Sequence, residues 1–349
     1  MVNVVPVLRS LGVALVGALG CVWLRTPLPW LIGPLVTVAL VSMLHGRLES
    51  PPAGRQVGQW IIGVALGLYF SPDVVREVGR LGAWVFLAVV FALALGLLGS
   101  WMLSKMVETD AATSFFGMAI GGASEMAVLA ERNGGQVERV AAAHSLRIML
   151  VVLIVPLLLN AFDVHGLDPY APSAREFSWG GFALLTAVTG GAALVMGRLG
   201  SPNSWMIGPL LAAAVVTALG ITWSSLPVPV VNAGQLLIGI GLGTRFTPDF
   251  FESAPRFLGA VAAITLVYLA IAAAFGWLLS LGSGLHWSTA IVATTPGGIG
   301  EMALTAQALR LGVPIVTAFH AIRMAAVVMS VGLTYRGWQR WKRERVNAA

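Results

Sequence analysis

Apolar and polar positions divide the chain into long apolar stretches joined by short polar connectors. Apolar stretches lie near residues 7–24, 28–45, 56–70, 81–104, 111–131 and 138–160. A second set lies near 178–199, 203–221, 232–246, 257–281, 288–309 and 313–335. Most are about as long as the roughly 20 residues that an α-helix needs to cross a bilayer. Only helices or closed barrels satisfy their backbone hydrogen bonds in lipid. Continuous apolar runs of this length fit helices rather than the alternating strands of a barrel. The pattern therefore predicts an all-α, polytopic transmembrane protein with the lipid bilayer as its first partner.

Composition agrees. Of 349 residues, 57% are apolar and 10% charged, against about 25% charged in an average soluble domain. Mean hydropathy is +0.85. Intrinsic disorder, which needs low hydrophobicity and high charge, is excluded. Cys21 is the one cysteine, which removes disulfide frameworks and thiol-based metal or redox centres. Net charge is +6, but five of the 21 basic residues follow Ser330: Arg336, Arg340, Lys342, Arg343 and Arg345. A basic tail after the last apolar run reads as a cytoplasmic topology signal, and no direct nucleic-acid contact is expected. Gly20-Cys21 weakly resembles a lipoprotein cleavage site. The recurrence of the same segment in the second half argues that it is retained.

Shifted by 175 or 176 residues, the sequence matches itself. Trp30-Leu-Ile-Gly-Pro34 aligns with Trp205-Met-Ile-Gly-Pro209. Gly58 to Asp73 aligns with Gly234 to Asp249, with nine identities in sixteen positions. Gly121-Gly122 and Glu125-Met-Ala127 align with Gly297-Gly298 and Glu301-Met-Ala303, and His144 and Arg147 with His320 and Arg323. Matched polar residues at fixed spacing are strong evidence of duplication, whereas matched Leu or Val is not. The expected organisation is a first repeat over 1–165, a second over 176–335 and a basic tail over 336–349. Such repeats mark transporter-like architectures with the site between the halves.

Charge distribution bears on topology. Twelve full crossings would place 10 basic residues in inner loops and 9 in outer loops. If the Gly-Gly segments at 111–131 and 288–309 enter and leave on one side, 14 lie inside and 5 outside. The second arrangement obeys the positive-inside tendency. It predicts about ten full crossings, two broken or re-entrant Gly-Gly segments, inverted repeats and cytoplasmic termini. The short segments 56–70 and 232–246 are the other candidates for incomplete crossings.

The sharpest polar constellation is Gly121-Gly122-x-Ser124-Glu125 followed by His144-x-x-Arg147, with Gly297-Gly298-x-x-Glu301 and His320-x-x-Arg323 as its copy. His and Arg three apart share a helix face. Ionisable groups at membrane depth face the protein interior, pair, or line a pathway. Three readings stand side by side: neutral ion pairs of Glu125 with Arg147 and Glu301 with Arg323, contact with a solute or proton near the repeat interface, or arginines that snorkel to the membrane interface. The Gly-Gly pairs either break a helix beside a wet cavity, aiming a positive helix end at an anionic group, or allow tight helix packing.

A second constellation, Gly-Gln-x-x-Ile-Gly-x-x-Leu-Gly-x-x-Phe-x-Pro-Asp, occurs at 58–73 and 234–249. Its glycines form one small-residue helix face suited to close packing. Gln59 and Gln235 add a polar group to it, for an interhelical bond or for a solute. Pro72-Asp73 and Pro248-Asp249 read as helix starts, and Trp30-x-x-Gly33-Pro34 with its copy as a kink or helix boundary, a gate being the alternative. His45, His165 and His286 are isolated, and no pair has metal-ligand spacing. Phosphate-binding loops, dinucleotide fingerprints and Ser-His-Asp arrangements are absent. No cofactor, metal or enzymatic role is expected.

Over nearly its whole length, and most specifically from Gly117 to Pro156, the chain resembles the AbrB-type integral membrane family. That resemblance implies a duplicated membrane protein of the bacterial inner membrane. Three functional labels accompany the family: regulation of gene expression, ammonia oxidation, and membership of a broad group of ion and carboxylate transporters. Ammonia oxidation needs a metal cluster that five scattered histidines and one cysteine do not offer. Direct transcriptional control needs a DNA-reading domain, for which the short loops leave no room. The expected function is secondary transport of a small solute, an anion among the candidates, with proton coupling through Glu125, Glu301, His144 or His320. The alternative is a membrane regulator acting indirectly through a solute or partner. Nothing in the pattern fixes an oligomeric state.

Overall fold

The computed structural model describes residues 4–45, 48–166, 170, 172, 176–248, 250 and 254–347. Asp249, and the side chains of His45, Lys342, Arg343 and Arg345, lie outside the described residues. Among those described the protein is all helical. The first half comprises α1 (Val4–Trp23), α2 (Pro29–His45), α3 (Gly54–Gly67), α4 (Pro72–Arg80), α5 (Gly82–Met106), α6 (Ala111–Met118), α7 (Ala123–Arg132) and α8 (Val137–Ala161). The second comprises α9 (Trp179–Arg198), α10 (Ser204–Ala218), α11 (Val228–Gly243), α12 (Pro255–Ser283), α13 (Trp287–Thr294), α14 (Ile299–Ala308) and α15 (Val313–Asn347). The basic tail continues α15 rather than forming a separate element.

Among the described residues, six helices are long and apolar enough to cross a membrane: α1, α5, α8, α9, α12 and α15. Many of their large apolar side chains, such as Val16, Phe86 and Met329, are exposed. Water would oppose such exposure and hydrocarbon would not. Helices α2, α10 and α11 are apolar but shorter. The sequence offset reappears in the backbone. Left-handed φ values occur at Arg25 and Gly200, at Leu28 and Asn203, and at Gly134 and Arg310. These are positions 175 or 176 residues apart.

The helices of the two halves interlock. α3 packs against α10, α11 against α2, and α3 and α11 against each other. The glycine stripe explains this. A Cβ on Gly63 would sit 2.6 Å from the Met206 carbonyl, and one on Gly239 would sit 2.7 Å from the Leu31 carbonyl. Each stripe therefore receives the Trp-x-x-Gly-Pro helix of the other half at backbone distance. Gly58 and Gly234 face each other where α3 and α11 cross. The structure thus shows these glycines in close packing. The same exchange occurs elsewhere: α8 packs on α12, and α15 on α5. One apolar core joins α2, α3, α10 and α11 to α8, α14 and α15. A second fills the space among α5, α6, α8, α12 and α15.

Candidate functional site

The two Gly-Gly segments are broken helices. α6 stops at Met118 and α7 begins at Ala123, and α13 stops at Thr294 and α14 begins at Ile299. With 8 and 10 residues, no half is long enough to cross a bilayer alone. Gly122 and Gly298 are extended N-caps. Each glycine of the motif has a distinct steric reason. A Cβ on Gly121 or Gly297 would meet Met126 or Met302. A Cβ on Gly122 or Gly298 would meet the carboxylate of Glu125 or Glu301. The glutamate three residues after the cap thus folds back over the cap, as in a capping box. It puts negative charge at the positive helix end.

The arginines serve the opposite end. Arg323 donates from Nη1 to the Thr295 carbonyl and from Nη2 to the Gly297 carbonyl, both at 2.7 Å. Arg147 reaches the Met118 carbonyl at 3.4 Å, where Tyr268 Oη also donates at 3.1 Å. These carbonyls lie at or just past the C-terminal ends of α13 and α6, where a cation is favoured. The expected Glu125–Arg147 and Glu301–Arg323 ion pairs do not form within 4.0 Å among the described residues. Each charge instead opposes a helix end, because a broken helix exposes backbone groups that must be satisfied inside a membrane.

The histidines differ. His144 Nδ1 accepts from Arg147 Nη2 at 2.9 Å, and its Nε2 lies 2.9 Å from the Phe116 carbonyl. Both needs of a neutral ring protonated at Nε2 are met. His320 faces two acceptors, the Val316 carbonyl at 2.9 Å from Nδ1 and the Thr295 carbonyl at 3.2 Å from Nε2. A neutral ring can donate to only one of them.

A cavity of about 520 Å³ lies between the breaks, within the usual range for small-molecule sites. It brings together Gly121, Gly122, Ser124, Glu125, Arg147, Gly297, Gly298, Glu301, His320, Arg323 and Gln59. Two expected residues stay outside. His144 is fully buried behind Arg147, and Gln235 is buried in α11. The cavity wall is one-sided. Residues 50–59 and Asn203–Met206 contribute to it, whereas their counterparts around 226–235 and 28–31 do not. On the lined side, Gln59 Nε2 donates to Asn203 Oδ1 at 2.7 Å; the position matching Asn203 is Leu28. Sequence reasoning missed Arg55, Asn203, Ile238 and Leu242 in the wall. Asn203 had a signal, since asparagine tolerates the left-handed conformation that precedes α10.

Interlocked halves, membrane-length apolar helices and two broken helices facing one cavity define a polytopic helical membrane protein. Residues 7–339 match the family described as "Transition state regulatory protein AbrB", and the chain belongs to that family. It is 25% identical over 338 residues to the protein YhjN of Bacillus subtilis (strain 168), covering 88% of this chain and 86% of that protein. It is 24% identical over 319 residues to an Escherichia coli (strain K12) protein whose name is that of a regulator, AbrB, covering 90% of each.

Proposed function

We propose that the protein is a secondary transporter of the bacterial inner membrane, moving a small solute through the cavity between the two Gly-Gly breaks. One observation carries this reading: the cavity gathers both copies of the Gly-Gly-x-x-Glu motif and both buried arginines at the junction of the halves. Transporters with inverted repeats bind at such a junction, between discontinuous helices. In this reading the repeats are inverted, about ten segments cross fully, both termini are cytoplasmic, and the protein is not an enzyme. Glu125, Glu301 and His320 line the solute's path and are the candidates for proton coupling. The one-sided wall is then one of two alternating states. In the other, the Gln235 side opens and the Gln59 side closes.

Cysteine labelling tests this without knowledge of the solute. In a Cys21→Ser background, Gln59→Cys and Gln235→Cys would be exposed to a membrane-impermeant thiol reagent from each side of sealed vesicles. The expected result is labelling of both, from opposite sides. A Gln235→Cys protein that resists reagent from either side would refute alternating access. The regulator name of the Escherichia coli relative favours a second reading, in which the membrane protein signals through a partner. Removing residues 336–349 should abolish the output of such a regulator and leave transport intact.

A further inference from the structure

The two short helices that follow the breaks are seated differently. From Ile299 to Ala306, every residue of α14 except Glu301 is buried. α14 packs against α3, and a Cβ on Gly300 would sit 2.9 Å from the Met206 methyl group. In α7 only Met126 and Ala130 are buried, and no comparable packing joins α7 to α11. Ala123 and Ser124, which match Ile299 and Gly300, line the cavity instead. One contact of the repeat is therefore closed and its counterpart is open. A polar pair finishes the closed one. Gln307, near the end of α14, donates from Nε2 to Tyr69 Oη, just past α3, at 3.2 Å.

The repeat offset carries Tyr69 to Arg245 and Gln307 to Glu131. The counterpart of the neutral pair is thus a cation just past α11 and an anion near the end of α7. They are apart in this state: among the described residues neither has an opposite charge within 4.0 Å. Glu131 is exposed, and Arg245 donates from Nη1 to Ser145 Oγ at 3.1 Å. The position matching Ser145 is Ala321, so this holding hydroxyl occurs only where the pair carries a cation. Arg245 stands beside the open wall, within electrostatic reach of the cavity residues Arg55 and Glu301. Alternating access rocks one repeat against the other around a fixed site, and a contact closed in one copy and open in the other is what such rocking exchanges. From this placement we infer that Arg245 and Glu131 are the latch of the alternate state. There they pair as ions and close the side that is open here, as Tyr69 and Gln307 hold the opposite side. An ion pair at a solvent-exposed helix end contributes little, which lets the latch release. The inference rests on the alternating-access reading above.

The test uses the full chain in sealed vesicles, in a Cys21→Ser background, with the labelling rates of Gln59→Cys and Gln235→Cys reporting the two sides. Glu131→Gln and Arg245→Gln should each slow labelling at Gln235→Cys about threefold, the size expected of one exposed ion pair. Tyr69→Phe, which removes the opposite latch, should speed it. Each charge reversal alone, Glu131→Arg or Arg245→Glu, should slow labelling further, and the two together should restore it. Unchanged rates, or a double reversal no faster than the single ones, would overturn the latch. A second measurement stands if a charge variant does not fold. A short bifunctional thiol reagent should join Glu131→Cys to Arg245→Cys, as it joins Tyr69→Cys to Gln307→Cys. Joining of the Tyr69–Gln307 pair alone would overturn the latch. Failure of alternating access looks different: Gln235→Cys is then labelled from neither side with Glu131 and Arg245 intact, and the latch falls with it. Labelling from opposite sides that ignores Glu131 and Arg245 refutes the latch alone.

Discussion

The break between α6 and α7 and the break between α13 and α14 start from nearly the same motif and are finished differently. In the second, Arg323 donates to two carbonyls, both at 2.7 Å. In the first, Arg147 holds one carbonyl at 3.4 Å, shares it with Tyr268, and spends its other bond on His144. The position matching Tyr268 in the first half is Ala92. Pro296 precedes the glycines of the second break, where the first has Ile120. The requirement is shared: a helix that stops in the protein interior leaves carbonyls at one end and N–H groups at the other to be satisfied. The glutamates meet it identically in both breaks. The arginines meet it with whatever neighbours the local packing provides.

Substitutions sharpen this contrast, and the largest effect belongs to the arginines. Arg323→Ala removes two charge-assisted bonds and should cost about 3 kcal/mol, at roughly 1.5 kcal/mol or more for each. Arg147→Ala leaves Met118 with Tyr268 as donor and should cost about 2 kcal/mol. Equilibrium unfolding of the purified protein would order the two, and equal losses would break the comparison. Gly122→Ala and Gly298→Ala come next. Each drives its own glutamate off the helix cap, and the two should cost the same, about 1 kcal/mol. The smallest effect is that of Tyr268→Phe, about 1 kcal/mol or less for one neutral hydrogen bond. Its signature is non-additivity: in an Arg147→Ala background the same change should cost more, because Met118 then loses its last side-chain donor. In an Arg323→Ala background its cost should not change.

The sequence makes some of this site legible and leaves some of it mute, for physical reasons. Gly121-Gly122 with Glu125, and Gly297-Gly298 with Glu301, are readable because glycine pairs and charges are rare in apolar segments and recur at one spacing. The glycine stripes at 58–67 and 234–243 are readable as packing faces for the same reason. The partner of each arginine is not readable. Backbone carbonyls occur at every residue and leave no mark in the sequence, so a nearby glutamate is the natural expectation for Arg147 and Arg323. Nor does sequence distinguish Gln59, in the cavity wall, from Gln235, outside it. Both follow a glycine in the same motif; Gln59 donates to Asn203, where the other half has Leu28. A conformation that breaks the equivalence of two copies is a property of the assembled fold, not of either copy.

The exchange of Trp-x-x-Gly-Pro helices between the glycine stripes bears on the independence of the two halves. Each stripe is completed by the opposite half, so a single half synthesised alone would present an unfilled groove and an unseated helix at once. The interior is thus built like the seam of a domain-swapped homodimer, each half completing the other's core.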